Sequence, residues 1–306
     1  MQKLNNWLYS SLITLMRKQA KLIRKNIMVD GYNIVYLESK HNKEKQTLIL
    51  IHGMNDEKDT WLPMAIQLRN EYHLILIDLL GCGESTLVMD FDYSLASQAD
   101  FMQKVITQIT NEKSIKSFSL AGHSMGGGLA IMVANKLPIN KLILIASMGI
   151  HQIPSYFEKI AQEIGEIRKL SWIHICTVAK LKSLLKDSYY KMPYIPTVIL
   201  KYFVEKKCAL AELEEKKFRF IVDENIAPKD NLSLYLNKLR HETLILWGEN
   251  DKSIHVDNAK IVHQGIPNNR LKVYPKCGHM PQYEKAKEVA KDISMFLNNP
   301  ITVHTK

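Results

Sequence analysis

The sequence predicts an α/β fold in which a mostly parallel, doubly wound sheet is interrupted by a helical insertion. Short, continuously apolar runs, typical of strands buried on both faces, alternate with segments of helical period. The alternation stops after Ala146, and strand-like runs resume only at Thr243. Core strands are therefore expected at 47–51, 73–79, 117–121, 142–146, 243–247 and 271–274, and the helices between them at 61–70, 94–111, 124–136, 257–264 and 282–297.

The first 25 residues are predicted to form an amphipathic basic helix. Six of them are basic and none is acidic, and their leucines fall near one face. The apolar stretch is shorter than the about 20 residues that span a bilayer, and no signal-peptide cleavage site follows it. We expect this helix to lie in the membrane interface as a peripheral contact with anionic lipid. Packing on the protein's own surface, packing on a second subunit and an uncleaved anchor are the alternatives.

The rest of the chain divides into a core and a cap. Asp30 and Gly31 predict a hairpin turn between two antiparallel edge strands over 27–38. The core is expected over 26–148 and 236–306, and the helical insertion over 149–235, with helices at 156–170, 175–185 and 198–211. Because ligands bind at the carboxyl edge of open α/β sheets, the insertion is predicted to cap that edge as a lid.

Composition limits the partners. The net charge of +10 is concentrated in the N-terminal segment and in 148–240, which has 16 basic and 11 acidic residues. No nucleic-acid-binding, cofactor-binding or metal-ligand motif is present, so a membrane surface is the expected acidic partner, and no cofactor, metal or nucleic acid is expected. The four cysteines, predicted to be free thiols, indicate a reducing compartment and a cytoplasmic location, peripheral on the inner membrane face if the N-terminal helix binds lipid. They are Cys82, Cys176, Cys208 and Cys277.

One motif predicts a nucleophile. The apolar run 117–121 ends in Gly122-His-Ser-Met-Gly126, and a helix-like segment follows. This order of strand, sharp turn and helix exposes the hydroxyl of Ser124 at the end of a strand and directs the backbone N–H of Met125 to the same place. The alternative is a glycine-rich helix start that packs closely or binds phosphate.

A nucleophilic serine needs a base, an acid that orients the base, and donors for the oxyanion. Asp251 follows the run 243–247 in a tight turn and is the predicted acid, with Glu249 as its local competitor. His279 follows the run 271–274 in a glycine-containing loop and is the predicted base. The N–H of Met54, after the His-Gly turn at 52–53, is predicted to be an oxyanion donor together with that of Met125.

Together these motifs resemble the α/β-hydrolase superfamily, specifically its capped serine hydrolases, the monoacylglycerol-lipase-like enzymes and carboxylesterases. The likeness extends from about Ile27 to the C-terminus, and in the insertion only placement and helicity match. A serine at the turn argues against epoxide hydrolases and haloalkane dehalogenases, which use aspartate there. The matching motifs are His52-Gly53 with Trp61, Asp78-x-x-Gly81-x-Gly83-x-Ser85, Gly122-His-Ser124-Met-Gly-Gly127, Gly248-x-x-Asp251 and Gly278-His279.

The resemblance implies a serine ester hydrolase that works through an acyl-enzyme. The apolar cap and basic N-terminus favour a monoacylglycerol-like substrate or another short-to-medium acyl ester. A carbon–carbon bond hydrolase or a thioesterase of the same fold is the alternative among enzymes, and a basic side chain projecting from the cap would favour it. A catalytically silent ligand-binding module is the alternative of another class.

Overall fold

The structure is a computed structural model that describes residues 2–149, 174–221 and 231–299. Its central feature is one sheet of eight strands within these residues, and the predicted core strands are all present within about three residues of their expected bounds. The strands are β1 (Leu22–Val29), β2 (Tyr32–Ser39), β3 (Thr47–Ile51), β4 (His73–Ile77), β5 (Phe118–His123), β6 (Lys141–Ile145), β7 (Glu242–Gly248) and β8 (Asn269–Tyr274).

The strand order is β1-β2-β4-β3-β5-β6-β7-β8, with β1 and β2 antiparallel to their neighbours and the remaining pairs parallel. The chain belongs to the mostly parallel, doubly wound class that the alternating pattern predicted. The hairpin at Asp30 and Gly31 lies at the sheet edge, as expected.

The described helices are α1 (Gln2–Gln19), α2 (Leu62–Leu68), α3 (Leu95–Glu112), α4 (Met125–Ala134), α5 (Val178–Ser188), α6 (Thr197–Ala209), α7 (Ala211–Ile221), α8 (Ser233–Leu236), α9 (Asp257–Gly265), α10 (Pro281–Glu284) and α11 (Ala286–Asn298), with a 3-10 turn at Lys58–Trp61.

Helices cover both faces of the sheet. Alternate side chains of β3 point to opposite faces, so Ile49 packs in the cluster that contains residues of α3 and α4, whereas Leu48 packs with residues of α2 and α11. All five residues of β3 are buried, as are those of β4 and β6. Burial on both faces explains why these strands read as continuous apolar runs.

The strand register aligns the loops that carry the predicted site. Ile51 of β3 pairs with Gly122 of β5, Gly122 with Leu144 of β6, Leu144 with Ile245 of β7, and Ile245 with Leu271 of β8. The carboxyl ends of these parallel strands therefore meet at one edge, and the predicted site residues all lie in the segments that follow them.

The prediction that the N-terminal helix extends to residue 25 is wrong. The helix α1 ends at Gln19, Lys21 has a positive φ of 57°, and β1 begins at Leu22. Leu22 is buried while Ile23 is 62% exposed, which is the alternation of a strand. Pairing with the free edge of β2 satisfies the backbone of this segment, and that pairing outweighs a helical pattern that was weak beyond Met16. None of the described helices is both long enough and apolar enough to cross a bilayer.

The expectation of four free thiols is also wrong. Cys176 and Cys208 form a disulfide between the loop before α5 and the end of α6, and only Cys82 and Cys277 are free. The pair is 32 residues apart in sequence, so it depends on how α5 and α6 pack, which no local spacing shows. The argument for a reducing compartment from cysteine usage therefore falls.

The insertion between β6 and β7 is helical in its described part, and we call this region the inserted segment. Two of its predicted helices correspond to α5 and α6, and the predicted helix at 156–170 lies outside the described residues. A further helix, α7, was not predicted; Leu213 and Phe218 are among its buried residues, and its first turn contains Glu212 and Glu214.

Candidate active site

The turn between β5 and α4 holds Ser124 in a strained conformation, with φ 54° and ψ −121°. Its N–H donates to the carbonyl of Ile145 at 2.9 Å. The turn is so tight that a Cβ on Gly122 would lie 2.1 Å from the carbonyl oxygen of Gly126, and a Cβ on Gly126 would lie 2.3 Å from that of Ile51. Only glycine fits at either position, and a strained serine in this turn is the geometry of a nucleophile elbow.

The structure brings the predicted acid and base together. The Nδ1 of His279 lies 2.8 Å from Oδ2 of Asp251. The other carboxylate oxygen of Asp251 accepts the N–H groups of Ser253 at 2.8 Å and Ile254 at 2.9 Å, which fix its orientation. The competitor Glu249 is exposed. A buried carboxylate that accepts from Nδ1 leaves Nε2 of the imidazole for proton transfer.

The backbone of the His279 loop is held from two sides. The N–H of His279 donates to the carbonyl of Ser188 at the end of α5, at 2.8 Å. Its carbonyl accepts from Nε2 of His123, also at 2.8 Å. Burial lowers the pKa of His123 well below its ordinary value, so the ring is neutral and donates through that nitrogen. The residue before the nucleophile therefore positions the predicted base.

Glu284 is a second support of the same loop that the sequence did not indicate. One carboxylate oxygen accepts the N–H of Gly278 at 2.8 Å, and the other accepts the N–H of Tyr190 in the inserted segment at 2.8 Å. Burial raises the pKa of Glu284 against the lowering effect of these hydrogen bonds. The only sequence signal is its place five residues after His279, which is too general to identify it.

The first predicted oxyanion donor lies in the turn after β3. His52 is fully buried, and burial lowers its pKa to about 3. Its Nδ1 is 2.8 Å from the carbonyl oxygen of Gly53, and its Nε2 accepts the N–H of Leu79 at 3.1 Å, which together set the neutral tautomer. A Cβ on Gly53 would lie 3.1 Å from Cβ of Ser124, so this turn passes directly beside the elbow. Met54 follows at the wall of the cavity.

The second predicted donor, Met125, is the first residue of α4, so its N–H is among the amides that have no partner within the helix. Its side chain is buried in the core. The predicted donors therefore come from the turn after β3 and from the start of α4. Two backbone N–H groups directed at one point can stabilise an oxyanion in acyl transfer, so this role remains a prediction for Met54 and Met125.

Three side chains from distant elements hold the turn that contains Met54. Lys207 of α6 donates to the carbonyl of Asn55 at 2.7 Å, and Asn55 has a positive φ of 56°. Lys206 donates to one oxygen of Glu57 at 2.7 Å, and Tyr9 of α1 donates to the other at 3.1 Å. Sequence reasoning missed all three, because each contact joins elements far apart in the chain.

The glycine-rich turn after β4 is held together by contacts among its own side chains and backbone. Asp78 is fully buried and lies 2.7 Å from Nζ of Lys58, which also contacts Glu84 at 2.9 Å. The N–H of Glu84 donates to Asp78 at 2.8 Å, and a Cβ on Gly83 would lie 2.3 Å from the Asp78 carboxylate. The charged side chains at this turn are therefore paired with one another. Within the described residues, no group of three or more His, Cys, Asp or Glu side chains could hold a metal ion.

A cavity of about 500 Å³ joins these parts. Ser124, His279 and Met54 line it, and apolar side chains of the inserted segment and of α1 form much of its wall. The arrangement presents a strained serine, an imidazole oriented by a carboxylate and two backbone turns to one apolar space. Among the residues from the inserted segment are Leu181, Leu184, Leu185, Ile195, Ile199 and Phe203.

Comparison with known proteins finds relatives over most of the chain. The family model of the alpha/beta hydrolase fold matches residues 46–286. Lipase 1 of Psychrobacter immobilis is 28% identical over 279 residues, covering 90% of this chain and 83% of the relative. Monoacylglycerol lipase ABHD6 of Mus musculus is 27% identical over 275 residues, covering 88% of this chain and 80% of the relative. The solved structure of a membrane phospholipase A, a bacterial virulence factor, has a TM-score of 0.86 and 27% identity and covers 96% of this chain and 92% of its own.

Proposed function

This chain belongs to the alpha/beta hydrolase fold family, and from that premise we propose that it cleaves carboxylic esters of lipid-like substrates through Ser124, His279 and Asp251. The contact between Asp251 and His279, on the cavity that Ser124 also lines, carries the proposal. The named relatives are lipases, which agrees with an ester hydrolase.

In the proposed mechanism, Oγ of Ser124 attacks the ester carbonyl and His279 accepts its proton through Nε2. Asp251 holds the imidazole and stabilises the cation that forms. The N–H groups of Met54 and Met125 hold the oxyanion, each contributing about 3 kcal/mol to stabilisation of the transition state. His279 then protonates the leaving alcohol, and water activated by the same histidine releases the acyl group from Ser124.

A monoacylglycerol or another short-to-medium acyl ester is the substrate that we propose. The wall of the cavity is largely apolar, with the inserted segment acting as its cap. Two lysines of the described wall, Lys206 and Lys207, are both bound to protein oxygens. Lys191 is exposed, and Arg168 lies outside the described residues. Lys206 is paired with Glu57, and Lys207 is held beside the turn after β3 by the carbonyl of Asn55. The preference for a neutral ester over the acidic substrates of carbon–carbon bond hydrolases therefore rests on the apolar wall.

The test is turnover of p-nitrophenyl esters together with labelling by a fluorophosphonate, which reacts with activated serines. Ser124→Ala should remove the labelling and lower kcat by at least about 10⁴-fold. Ser117→Ala, at an exposed serine directly before β5, is the matched control and should retain both. Undiminished turnover by Ser124→Ala, or an unlabelled and inactive wild type, would sink the proposal.

We further propose that the protein contacts lipid through the outer face of α1. Trp7 is 64% exposed and Leu15 is 54% exposed on this helix. The basic residues of the N-terminal segment should attract anionic lipid less than their number indicated, since Arg17 pairs with Asp59 and Arg24 pairs with Glu84. The contact is therefore expected to be mainly apolar, with a weak preference for anionic lipid.

A further inference from the structure

One face of α1 lies in the cavity of the candidate active site. Tyr9, Leu12, Ile13 and Met16 line it together with Ser124. Their spacing of three, four and seven residues places them on one side of a helix. The N-terminal helix thus contributes wall to the same space in which the ester would bind.

This helix is fixed to the parts that surround the cavity. The ring of Tyr9 stacks on Tyr202 of α6 at 4.1 Å between centroids, and its hydroxyl donates to Glu57. Arg17 binds both oxygens of Asp59, at 2.7 and 2.5 Å. These contacts hold the cavity-facing side of α1 against the inserted segment at one point and against the core at another, so the wall has a defined position.

Leu12 and Leu15 are both exposed leucines of α1, but only Leu12 lines the cavity. Leu12 is 45% exposed and also lines the cavity, so it lies where the cavity opens to solvent. Leu15 is 54% exposed and is not part of the cavity wall. Both belong to the outer surface of one helix, but only Leu12 is placed to touch a chain that leaves the cavity.

We propose that α1 is a specificity element for the acyl chain, and that Leu12 contacts the distal part of a medium-length chain at the cavity opening. The inference rests on the proposed ester-hydrolase function. A short acyl group bound at Ser124 would not extend to the wall formed by α1. A longer acyl chain would reach it and would gain binding free energy by burying its apolar surface there. A charge at Leu12 would then penalise long chains and spare short ones.

The experiment compares kcat/KM for p-nitrophenyl decanoate and p-nitrophenyl butyrate, both kept below the concentration at which they aggregate, so that binding to a lipid surface plays no part. In full-length protein, Leu12→Asp should lower the decanoate-to-butyrate ratio about tenfold, the scale on which apolar contacts discriminate substrates. Leu12→Met, which keeps an apolar side chain of similar volume, should keep the decanoate-to-butyrate ratio of the wild type. Leu15→Asp is the matched control and should keep the ratio of the wild type.

The proposal is overturned if Leu12→Asp leaves the ratio unchanged, or if Leu15→Asp lowers it equally. Thermal unfolding of each variant separates a loss of fold from a loss of selectivity. Failure of this inference is distinct from failure of the proposed function. In the first case the wild type and the variants hydrolyse butyrate, but Leu12→Asp and Leu15→Asp have the same decanoate-to-butyrate ratio. In the second case the wild type hydrolyses neither ester.

Discussion

Lys207 of the inserted segment donates a hydrogen bond to the carbonyl oxygen of Asn55 at 2.7 Å, one residue after the predicted oxyanion donor Met54. The turn that would hold the oxyanion is thus fixed in part by α6 of the inserted segment. We expect Lys207→Met to lower kcat about tenfold with little change in KM, because a small displacement of the turn weakens a contact made only in the transition state.

Lys201→Met is the matched control, since Lys201 is an exposed lysine on the same helix. Steady-state kinetics with p-nitrophenyl butyrate give both constants. Equal kinetics for the two variants would mean that Lys207 has no part in positioning the turn.

The acid assignment predicts a contrast between neighbouring carboxylates. Asp251→Asn should lower kcat/KM about 10³- to 10⁴-fold, because the amide no longer stabilises the charged imidazole or its tautomer. Glu249→Gln should retain activity, since Glu249 is exposed. The same ester assay measures both, and a large loss in Glu249→Gln with a small one in Asp251→Asn would reverse the assignment.

Glu38 predicts how stability depends on pH. Burial disfavours its charge, but hydrogen bonds from His73, Lys25 and Lys113 outweigh burial and lower its pKa to about 2. A depressed carboxyl pKa stabilises the fold above its unfolded value of about 4.5, and this stabilisation is lost as the pH falls through about 2. The contribution is about 3 kcal/mol near neutrality, and about 2 kcal/mol of it is lost by pH 3.

Urea unfolding at pH 7 and pH 3 checks this. The free energy of unfolding of Glu38→Gln should fall less between the two pH values than that of the wild type, by about the same 2 kcal/mol. Glu44→Gln, at an exposed glutamate, should follow the wild type. Parallel losses in wild type and Glu38→Gln would contradict the prediction.

Liposome flotation tests the lipid contact of α1. Trp7→Ser with Leu15→Ser should lower the fraction bound to phosphatidylcholine vesicles about tenfold, because two exposed apolar side chains no longer enter the interface. Leu87→Ser with Leu234→Ser, exposed at 51% and 68% on other surfaces, is the control. Flotation of the first variant at the level of wild type would exclude this contact, and a strong dependence on phosphatidylserine would contradict its apolar character.

The parts that sequence predicted correctly are those set by local physics. Buried parallel strands must be apolar along their length, and a tight elbow needs glycine at 122 and 126, so the strands and the turn that carries Ser124 were readable from pattern alone. The contact between Asp251 and His279 followed from the places of these residues after two strands. The order of the motifs along the chain also supported the assignment, because each motif follows a strand of one mostly parallel sheet and the strand ends lie at the same edge.

What could not be predicted depends on contacts between distant segments. The hydrogen bond from Tyr190 to Glu284 spans 94 residues, and that from Lys207 to Asn55 spans 152. Neither has a local signature, and the Cys176–Cys208 disulfide has none either. The start of β1 was missed for a related reason: a segment with an ambiguous pattern becomes a strand because β2 offers it an edge.

The His279 loop takes its backbone support from Ser188 and, through Glu284, from Tyr190, both in the inserted segment. Such a segment cannot be exchanged between homologous enzymes as an independent module. A chimera made to transfer substrate preference should keep residues 188–190 of the host, or import the matching histidine loop with the foreign helices. Because Ser188 and Tyr190 contribute backbone groups, it is the path of the chain at 188–190, more than the identity of its side chains, that such a chimera must preserve.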